Sequence, residues 1–343
     1  MRFERREESA GAEEVIVAVA GCGVCHTDLG FFYGGVPTRH SLPLTLGHEV
    51  AGTVVEAGAG AADWFGRAVI VPAVIPCGDC AACRAGRGQI CPRQIFPGND
   101  VHGGFASHLR VPARGLCPVP DLKDPKLNPC ALPLAALSVV ADAVSTPFQA
   151  IRRSGLGHGD LALFVGAGGI GGFGVQIAAA LGAEVIAIDV DAARLEQIRA
   201  HGAALGLDAR ELEFKAIKSA VQRFAAERSI PSFRQFVFET SGTPAGQQTA
   251  WGLLGHGGYL GVGGYSPAKI ELRLANLMAV DATAQGNWAC LPELYPAVLE
   301  LVLAGRVAIP PFIEERPLAT INEVFAALHE RSHVRRIVLV PES

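Results

Sequence analysis

Long apolar runs and an excess of positive charge are both missing from this sequence of 343 residues. No apolar run reaches the roughly 18 residues of a membrane-spanning helix, and the first residues, M-R-F-E-R-R-E-E, are charged where a secretion signal would be apolar. The formal net charge is −4 and no long run of like charges occurs, which disfavours a surface for nucleic-acid backbones. We therefore expect a cytoplasmic protein that binds neither membranes nor nucleic acid.

Internal repeats and low-complexity tracts are also absent. The chain is 50% hydrophobic and 18% charged, so it can bury a large core, and its length exceeds that of one ordinary domain. Its nine cysteines indicate metal binding or catalysis rather than disulfides, because reducing compartments keep thiols free. We expect a two-domain globular protein.

The stretch from Gly21 to Glu49 carries the first metal-binding signal. It begins G-C-G-V-C-H-T-D, after an apolar run that predicts a strand, and it ends L-G-H-E. A cysteine, a histidine and two acids supply zinc ligands and the carboxylates that orient them. We assign Cys25 and His48 to the metal and interpret Cys22 as a buried thiol. The alternative for Cys25 is also a small buried thiol, and that for His48 is an ordinary core histidine.

Four cysteines in a short loop form the strongest motif. The segment C-G-D-C-A-A-C-R-A-G-R-G-Q-I-C has the pattern C-x2-C-x2-C-x7-C, and its thiolates match a closed tetrahedral structural zinc site. An iron–sulfur cluster is the alternative. The predicted ligands are Cys77, Cys80, Cys83 and Cys91.

The segment from Leu132 to Arg153 has Ala, Val and Leu at helical spacing, and we predict that it is the hinge between two domains. Asp142 lies inside this segment. Burying an unpaired carboxylate on an apolar helix is costly, and a bound metal would explain its presence there.

A dinucleotide-binding unit follows from Leu161. The strand L-A-L-F-V leads directly into G-A-G-G-I-G, then an apolar helix, then a strand that ends at Asp189. The glycines allow a tight turn and a close approach to pyrophosphate, and Asp189 is positioned for the adenosine ribose hydroxyls. Because Val190 and Asp191 follow instead of arginine, NAD is predicted over NADP. The alternative is that Asp189 is only a solvated acid. The glycines assigned to the cofactor are Gly166, Gly168, Gly169 and Gly171.

Strands and helices alternate beyond this unit. Strands are predicted at 234–239 and 258–263, with helices at 211–227 and 245–254, which is typical of an α/β fold with a doubly wound parallel sheet. The turns 240–242 and 261–264 follow strands and are expected beside the adenine and the nicotinamide. Two amphipathic helices and a terminal strand, R-R-I-V-L-V, complete the chain.

The motifs G-C-G-V-C-H-T-D, G-H-E, the four-cysteine loop and V-G-A-G-G-I-G together resemble the zinc-dependent medium-chain alcohol dehydrogenase family over nearly the whole chain. The resemblance implies a GroES-like β-rich catalytic domain at 1–140 with a structural zinc lobe at 77–91. It also implies a Rossmann domain at 141–284 and a return to the catalytic domain at 285–343. A homo-oligomer, dimer or tetramer, is implied as well.

The resemblance implies specific roles around two zinc ions per chain. Cys25, His48 and Asp142 would bind the catalytic zinc, with Glu49 beside it as a further metal residue. Many family members have a cysteine where this chain has Asp142. The segment before the first strand is shorter than the family pattern, so we expect a trimmed first domain or a misassigned start.

Other roles concern the substrate proton and the cofactor. Thr27 would pass on the proton, His26 would lie near the pyrophosphate, and Arg335 or Arg336 would lie near the same phosphates. The family's relay histidine is replaced by Gly30, so the proton would leave through the ribose and water or another group.

The expected substrate is a small-molecule alcohol. Stretches such as C-H-T-D-L-G-F-F-Y and P-G-N-D-V-H-G-G-F-A-S-H resemble family members that oxidise a cyclic hydroxyacyl-CoA, whose phosphates would need cations such as Arg39, His40 and Arg93. The alternatives are another primary or secondary alcohol, an enone reductase without catalytic zinc, or a non-catalytic nucleotide-sensing protein. Two zinc ions per chain would distinguish the dehydrogenase from the reductase.

Overall fold

The computed structural model describes residues 1–330 and 335–342. Its strands are β1 (Glu14–Gly23), β2 (Glu49–Ala57), β3 (Ala68–Val71), β4 (His108–Pro112), β5 (Cys117–Pro118), β6 (Leu161–Val165), β7 (Glu184–Asp189), β8 (Leu205–Asp208), β9 (Gln235–Glu239), β10 (Tyr259–Val262), β11 (Thr283–Gly286), β12 (Ile313–Pro317) and β13 (Arg336–Val340).

The α-helices are α1 (His26–Phe32), α2 (Ala81–Arg84), α3 (Ser145–Ser154), α4 (Gly171–Ala180), α5 (Ala192–Arg199), α6 (Phe214–Glu227), α7 (Pro244–Gly252), α8 (Ala275–Val280), α9 (Tyr295–Leu303) and α10 (Ile321–His329). Short 3-10 helices lie at Ala59–Trp64, Gly88–Ile90, Ala135–Ala141, Ser232–Arg234, Pro292–Leu294, Pro310–Phe312 and Leu318–Thr320. In this described part of the chain, no helix is long and apolar enough to cross a membrane.

The chain forms two compact units. The first comprises 1–145, 289–305 and 309–343, and the second comprises 146–288 and 306–308. The first unit is rich in β-structure, with its main sheet in the order β12-β13-β1-β2-β3-β5 and β4 paired to β1. Strand β1 is the centre of this sheet because it pairs antiparallel with β2, β4 and β13. Its inward-facing valines, with Leu109 and Phe325, belong to the apolar core of the unit.

The second unit contains a parallel six-stranded sheet in the order β11-β10-β9-β6-β7-β8. All five residues of β6 are buried, as expected for a central strand covered on both faces. The chain order reverses around β6, whose neighbours are β7 and β9, and ligands bind at such a reversal beyond the carboxyl ends of the strands. The predicted α/β class with a doubly wound parallel sheet is confirmed.

The helical prediction for 132–153 is wrong in one respect. A 3-10 helix ends at Ala141, the backbone is interrupted at Asp142 (φ −142°, ψ −57°), and α3 begins at Ser145. Pro147 explains the start of α3: it has no N–H to donate, and its ring excludes the carbonyl four residues earlier from helical geometry. Asp142 therefore lies at the break between two helices and not on an apolar helix.

Candidate functional site

The four-cysteine loop brings its sulfur atoms together in the first unit. The Sγ–Sγ distances are 3.4 Å for Cys77–Cys91, 3.5 Å for Cys80–Cys83, 3.7 Å for Cys80–Cys91 and 3.9 Å for Cys77–Cys83. Four sulfurs about 2.3 Å from one zinc ion would lie about 3.8 Å apart, so the geometry fits the predicted ion. All nine cysteines of the chain are free of disulfides.

Local structure activates one of these thiols. Cys80 is the N-cap of α2, where its Sγ accepts a hydrogen bond from the backbone N–H of Cys83. This hydrogen bond is the main cause that lowers the pKa of Cys80 to about 6. In contrast, a hydrogen bond with Asp79 is the main cause that raises the pKa of Cys77 to about 12. A thiolate is the form that binds metal, so Cys80 is ready to bind near neutral pH.

A second cluster of metal-binding side chains lies in the same unit. Ligand atoms of Cys25, His48, Glu49 and Asp142 all lie within 4.8 Å of one another. Nε2 of His48 is 3.6 Å from Oδ2 of Asp142, and Sγ of Cys25 is 4.0 Å from the same oxygen. One thiolate, one imidazole and carboxylate oxygens at these separations suit zinc. The residues predicted from the sequence to form the catalytic centre are therefore brought together.

The backbone around His48 depends on a glycine. Gly47 has φ +100°, and a Cβ there would lie 2.8 Å from both Sγ of Cys22 and the backbone nitrogen of Phe105. Only glycine accommodates this conformation and this close approach. The turn at Gly47 brings the chain into β2 with His48 and Glu49 at the metal cluster.

Asp28 orients the two ligands Cys25 and His48. Its carboxylate is fully buried and accepts hydrogen bonds from the backbone N–H of Cys25 (2.9 Å) and of Gly47 (3.2 Å). It also accepts from Nδ1 of His48 at 3.2 Å, which directs Nε2 of His48 toward Asp142. Sequence analysis counted Asp28 among the two acids that orient the zinc ligands but did not say which ligands it holds, although an acid three residues after the N-cap of a helix is a recognisable capping pattern.

Charge and burial act in opposite directions on His48. Burial by itself lowers the pKa of His48, but the charge of Asp28 and hydrogen bonds with Asp142 and Asp28 raise that pKa well above its ordinary value. In the absence of metal, this imidazole therefore favours a proton. Zinc binding must displace that proton, because metal ligation requires a neutral imidazole.

Glu49 forms a buried ion pair with Arg336 on β13. Nε of Arg336 donates to Oε2 of Glu49 at 2.8 Å, and Nη2 donates to Oε1. Burial raises the pKa of the Glu49 carboxyl, and the charge of Arg336 opposes that rise. Arg336 is thus committed to Glu49. Of the two predicted phosphate-binding arginines, Arg335 is the exposed one, and its role remains a prediction.

Thr27 and His26 lie in the first turn of α1. The hydroxyl of Thr27 is half-buried, and Oγ1 lies 3.7 Å from Sγ of Cys25. His26 is exposed. The hydroxyl of Thr27 therefore lies close to a metal-binding side chain, and its role in proton transfer remains a prediction.

The glycine turn of the second unit connects β6 to α4. Gly166 has φ +97°, and a Cβ there would lie 2.6 Å from the backbone of Ser241. At Gly171 a Cβ would collide with the carbonyl oxygen of Gly166 at 1.8 Å. The space around Gly168 is more open, because the nearest atom that a Cβ there would meet is Nη1 of Arg194, at 3.9 Å. Gly169 follows Gly168 in the turn. Space for a pyrophosphate is typical of such a turn.

Asp189 is not a solvated strand-end acid. Its side chain is buried, and its carboxylate accepts from the backbone N–H of Ala167 (2.6 Å), Val190 (2.8 Å) and Asp191 (3.1 Å). Nη1 of Arg194 donates to the same carboxylate at 3.2 Å. Sequence analysis missed Arg194, which lies in α5 five residues after Asp189. Asp189 thus connects the glycine turn to the end of β7.

The turns after β9 and β10 line a small pocket of the second unit. Oε1 of Glu239 accepts from the hydroxyl of Ser241 (2.6 Å) and from the backbone N–H groups of Ser241 and Gly242, which fixes the first turn. Residues that line the pocket include Phe164, Ile170, Thr240, Gly263 and Asn287. The predicted contacts of these turns with adenine and nicotinamide remain predictions.

Two family models match the sequence. One, described as "Alcohol dehydrogenase GroES-like domain", matches residues 11–121, and the other, described as "Zinc-binding dehydrogenase", matches residues 169–304. The first covers the metal cluster residues Cys25, His48 and Glu49 as well as the four-cysteine loop. The second begins within the glycine turn.

Known proteins resemble the chain over almost its full length. An alcohol dehydrogenase of Geobacillus stearothermophilus is 30% identical over 329 residues, covering 95% of this chain and 91% of that protein. The L-galactonate-5-dehydrogenase of Escherichia coli is 28% identical over 320 residues, covering 92% and 88%. The solved structure of the alcohol dehydrogenase of Aeropyrum pernix has a TM-score of 0.85 at 28% identity, covering 99% of this chain and 96% of that chain.

Proposed function

The chain belongs to the zinc-dependent alcohol dehydrogenase family, and on that premise we propose that it oxidises a secondary alcohol to a ketone. The enzyme class and cofactors predicted from the sequence, an NAD-dependent alcohol dehydrogenase with a catalytic and a structural zinc, are confirmed. The observation that carries the proposal is the cluster of Cys25, His48, Glu49 and Asp142 within 4.8 Å. Zinc bound there supplies Lewis acidity that favours loss of the alcohol proton.

The protein's own residues prepare this chemistry. Asp28 holds the backbone of Cys25 and the ring of His48 in place through hydrogen bonds of 2.9 and 3.2 Å. Thr27, with its hydroxyl 3.7 Å from Sγ of Cys25, accepts the substrate proton in our proposal. Because position 30 is glycine, no histidine side chain continues a relay there, and the ribose of a bound cofactor with water, or another group, would have to carry the proton onward.

We assign Asp142 as the third protein ligand of the catalytic zinc. Its Oδ2 lies within 4.0 Å of both Sγ of Cys25 and Nε2 of His48, whereas both carboxylate oxygens of Glu49 are hydrogen-bonded by Arg336. The distances and the ion pair together favour Asp142 over Glu49. An oxygen ligand is a harder donor than a thiolate.

In the second unit we propose that the glycine turn binds the pyrophosphate of NAD and that Asp189 selects NAD over NADP. The carboxylate would accept the ribose hydroxyls and repel a 2′-phosphate. Arg194 neutralises part of the Asp189 charge, with Nη1 at 3.2 Å, so the selection is expected to be incomplete.

Two substrate classes are supported by different observations. The similarity to an alcohol dehydrogenase and to an L-galactonate-5-dehydrogenase favours a secondary hydroxyl on a small or polyhydroxylated carbon chain, and this is our first candidate. The second is 6-hydroxycyclohex-1-ene-1-carbonyl-CoA, in aromatic degradation, oxidised at its ring hydroxyl to the 6-oxo product. Sequence stretches such as C-H-T-D-L-G-F-F-Y support this second candidate.

The basic residues assigned to CoA phosphates are already engaged. Arg39 pairs with Asp100 at 3.2 Å and Arg93 pairs with Asp79, while the ring of His40 lies 4.8 Å from that of His102. Neutralised arginines attract phosphate less strongly than unpaired ones. This observation makes the CoA thioester the weaker of the two candidates.

The substrate is tested by NADH formation with purified zinc-loaded enzyme. The panel comprises simple secondary alcohols, L-galactonate and cyclic hydroxyacyl-CoA thioesters. The proposal predicts turnover with at least one of these, loss of turnover in Cys25→Ser, and two zinc ions per chain by metal analysis. One zinc ion per chain, or turnover that survives Cys25→Ser, would contradict it.

We also propose a homo-oligomer in a reducing, cytoplasmic compartment. Strand β11 pairs with β10 and is an edge of the described sheet, and Leu274 and Met278, in the chain segment that precedes β11, are 71% and 77% exposed. Edge strands beside exposed apolar side chains are suited to pairing with another copy. The nine cysteines, none of them in a disulfide, support the reducing compartment, because thiols stay reduced there. Sedimentation analysis tests the assembly, and a monomer at micromolar concentration would exclude it.

A further inference from the structure

A fully buried tyrosine lies behind the catalytic metal cluster. Tyr295, the first residue of α9, is 0% exposed and is among the largest completely buried side chains. A buried hydroxyl needs hydrogen-bond partners, because an unpaired one loses its bonds to water without replacing them. Burial also raises the pKa of Tyr295 well above its ordinary value, so the hydroxyl keeps its proton and can donate.

The hydroxyl of Tyr295 donates to the carbonyl of Ala141 at 2.5 Å and accepts from the backbone N–H of Ala73 at 3.3 Å. The Ala141 carbonyl belongs to the peptide unit that ends at the nitrogen of Asp142. Fixing this carbonyl fixes the plane of that peptide. Tyr295 therefore constrains the backbone from which the Asp142 side chain projects.

The constraint acts on the short segment between the 3-10 helix and α3. Asp142 interrupts the chain between the 3-10 helix and α3, so helical geometry does not determine its orientation. Ser145 adds a second brace, because Oγ donates to the carbonyl of Ala141 at 3.2 Å and lies 3.5 Å from the carbonyl of Asp142. Ala141 and Ser145 are both fully buried, as is Tyr295.

We infer that Tyr295 is a positioning residue for the catalytic zinc, holding Asp142 in its ligating orientation through the carbonyl of Ala141. The inference rests on the proposed function, since it requires Asp142 to be a zinc ligand. Residues that orient metal ligands through hydrogen bonds typically change metal affinity about 10- to 100-fold when they are replaced. Tyr295 makes its hydrogen bond from helix α9, 154 residues further along the chain than Ala141.

The test compares zinc affinities of the holoenzyme and of Tyr295→Phe, which removes one oxygen and keeps the ring. Competition with a chromophoric chelator should show about 10-fold weaker zinc binding at the catalytic site. Zinc at the four-cysteine loop should be released as in the parent enzyme, which makes that site an internal control. The Co²⁺-substituted enzyme should show a shifted visible spectrum. The matched control is Tyr259→Phe, whose hydroxyl donates to Oε1 of Gln285 at 2.8 Å in the other unit and should change neither quantity.

A double-mutant cycle separates positioning from general stability. Asp142→Asn alone should weaken catalytic zinc binding, and adding Tyr295→Phe to that variant should weaken it no further, since the hydroxyl acts through Asp142. A purely structural tyrosine would give additive effects in the cycle. If Asp142→Asn leaves zinc binding unchanged, the ligand assignment under the proposed function fails.

The inference about Tyr295 fails by itself if Asp142→Asn weakens zinc binding but Tyr295→Phe does not. The inference is also overturned if the effects of Asp142→Asn and Tyr295→Phe on zinc affinity are additive in the double variant. Should Tyr295→Phe not fold, Ser145→Ala provides the same measurement with a smaller change at the same carbonyl. The expected result is then about 3-fold weaker zinc binding that vanishes in the Asp142→Asn background, and an effect that persists there refutes the inference.

Discussion

His48 donates from Nδ1 to Oδ1 of Asp28 at a distance of 3.2 Å, and both side chains are almost completely buried. The same carboxylate accepts from the backbone N–H of Cys25. One acid thus orients two metal ligands that are 23 positions apart in the sequence, counted from residue 25 to residue 48. Its removal should affect both ligands together.

Asp28→Asn is expected to weaken zinc binding at the catalytic site by about 10- to 100-fold, because the amide lacks the charge that orients the His48 ring. Chelator competition measures the affinity, and NADH formation should fall in parallel at limiting zinc. Asp121→Asn, at an exposed acid of the same unit, is the control. Equal zinc affinity in the two variants would refute the role of Asp28.

Cys80→Ser should remove the structural zinc and leave the catalytic one. Four thiolates share that ion, and a serine hydroxyl is a poor replacement for the thiol whose pKa is lowered to about 6. Metal analysis should fall from two zinc ions to one, and the melting temperature should drop. Cys130→Ser changes an exposed cysteine outside the loop and should leave both values unchanged. Retention of two zinc ions by Cys80→Ser would contradict the assignment.

Arg336→Met should destabilise the protein by about 3–5 kcal/mol, because Glu49 would stay buried without its counter-charge. Arg316→Met is the matched control on neighbouring strand β12. Its ion pair with Glu314, at 2.6 Å, is much more open to solvent, with side chains 44% and 28% exposed, and should contribute at most about 1 kcal/mol. Urea unfolding monitored by circular dichroism measures both variants. Similar losses of unfolding free energy in the two would show that burial of the Glu49 pair does not matter.

Thr27→Val should lower kcat by about 100-fold while zinc content stays at two ions per chain, because the valine cannot accept the substrate proton. Thr27→Ser keeps a hydroxyl at the same place and should retain most of the activity. Steady-state kinetics at saturating alcohol and NAD provide the comparison. Full activity of Thr27→Val would exclude this residue from proton transfer.

Asp189→Gly should raise the ratio of kcat/KM for NADP to that for NAD by at least about 10-fold, because the carboxylate that repels a 2′-phosphate is gone and Arg194 remains. Asp208→Asn, at the end of the neighbouring strand β8, should leave the ratio unchanged. An unaltered ratio in Asp189→Gly would remove its proposed part in cofactor selection.

Much of the fold follows from local patterns. The buried run Leu161–Val165 was predicted with its observed bounds, and the strand that ends at Asp189 was also recognised, because both carry continuous apolar residues next to glycine turns. The helical segment at 132–153 was predicted without its break at Asp142. Its apolar spacing continues through the break, so hydrophobic periodicity cannot reveal the interruption.

The sequence by itself determined the chemistry of the four-cysteine site and of the nucleotide turn, because the spacing of their cysteines and glycines is a property of short chain segments. At the catalytic site it identified Cys25, His48 and Glu49 within one stretch, whereas Asp142 lies 117 positions from Cys25 and was assigned from the family resemblance. Only the tertiary structure decided which groups hold these residues in place. Arg336 meets Glu49 across 287 positions, and Tyr295 meets Ala141 across 154. Such pairs form because separate elements bury polar groups against one another, and no local pattern records which partner each group will find.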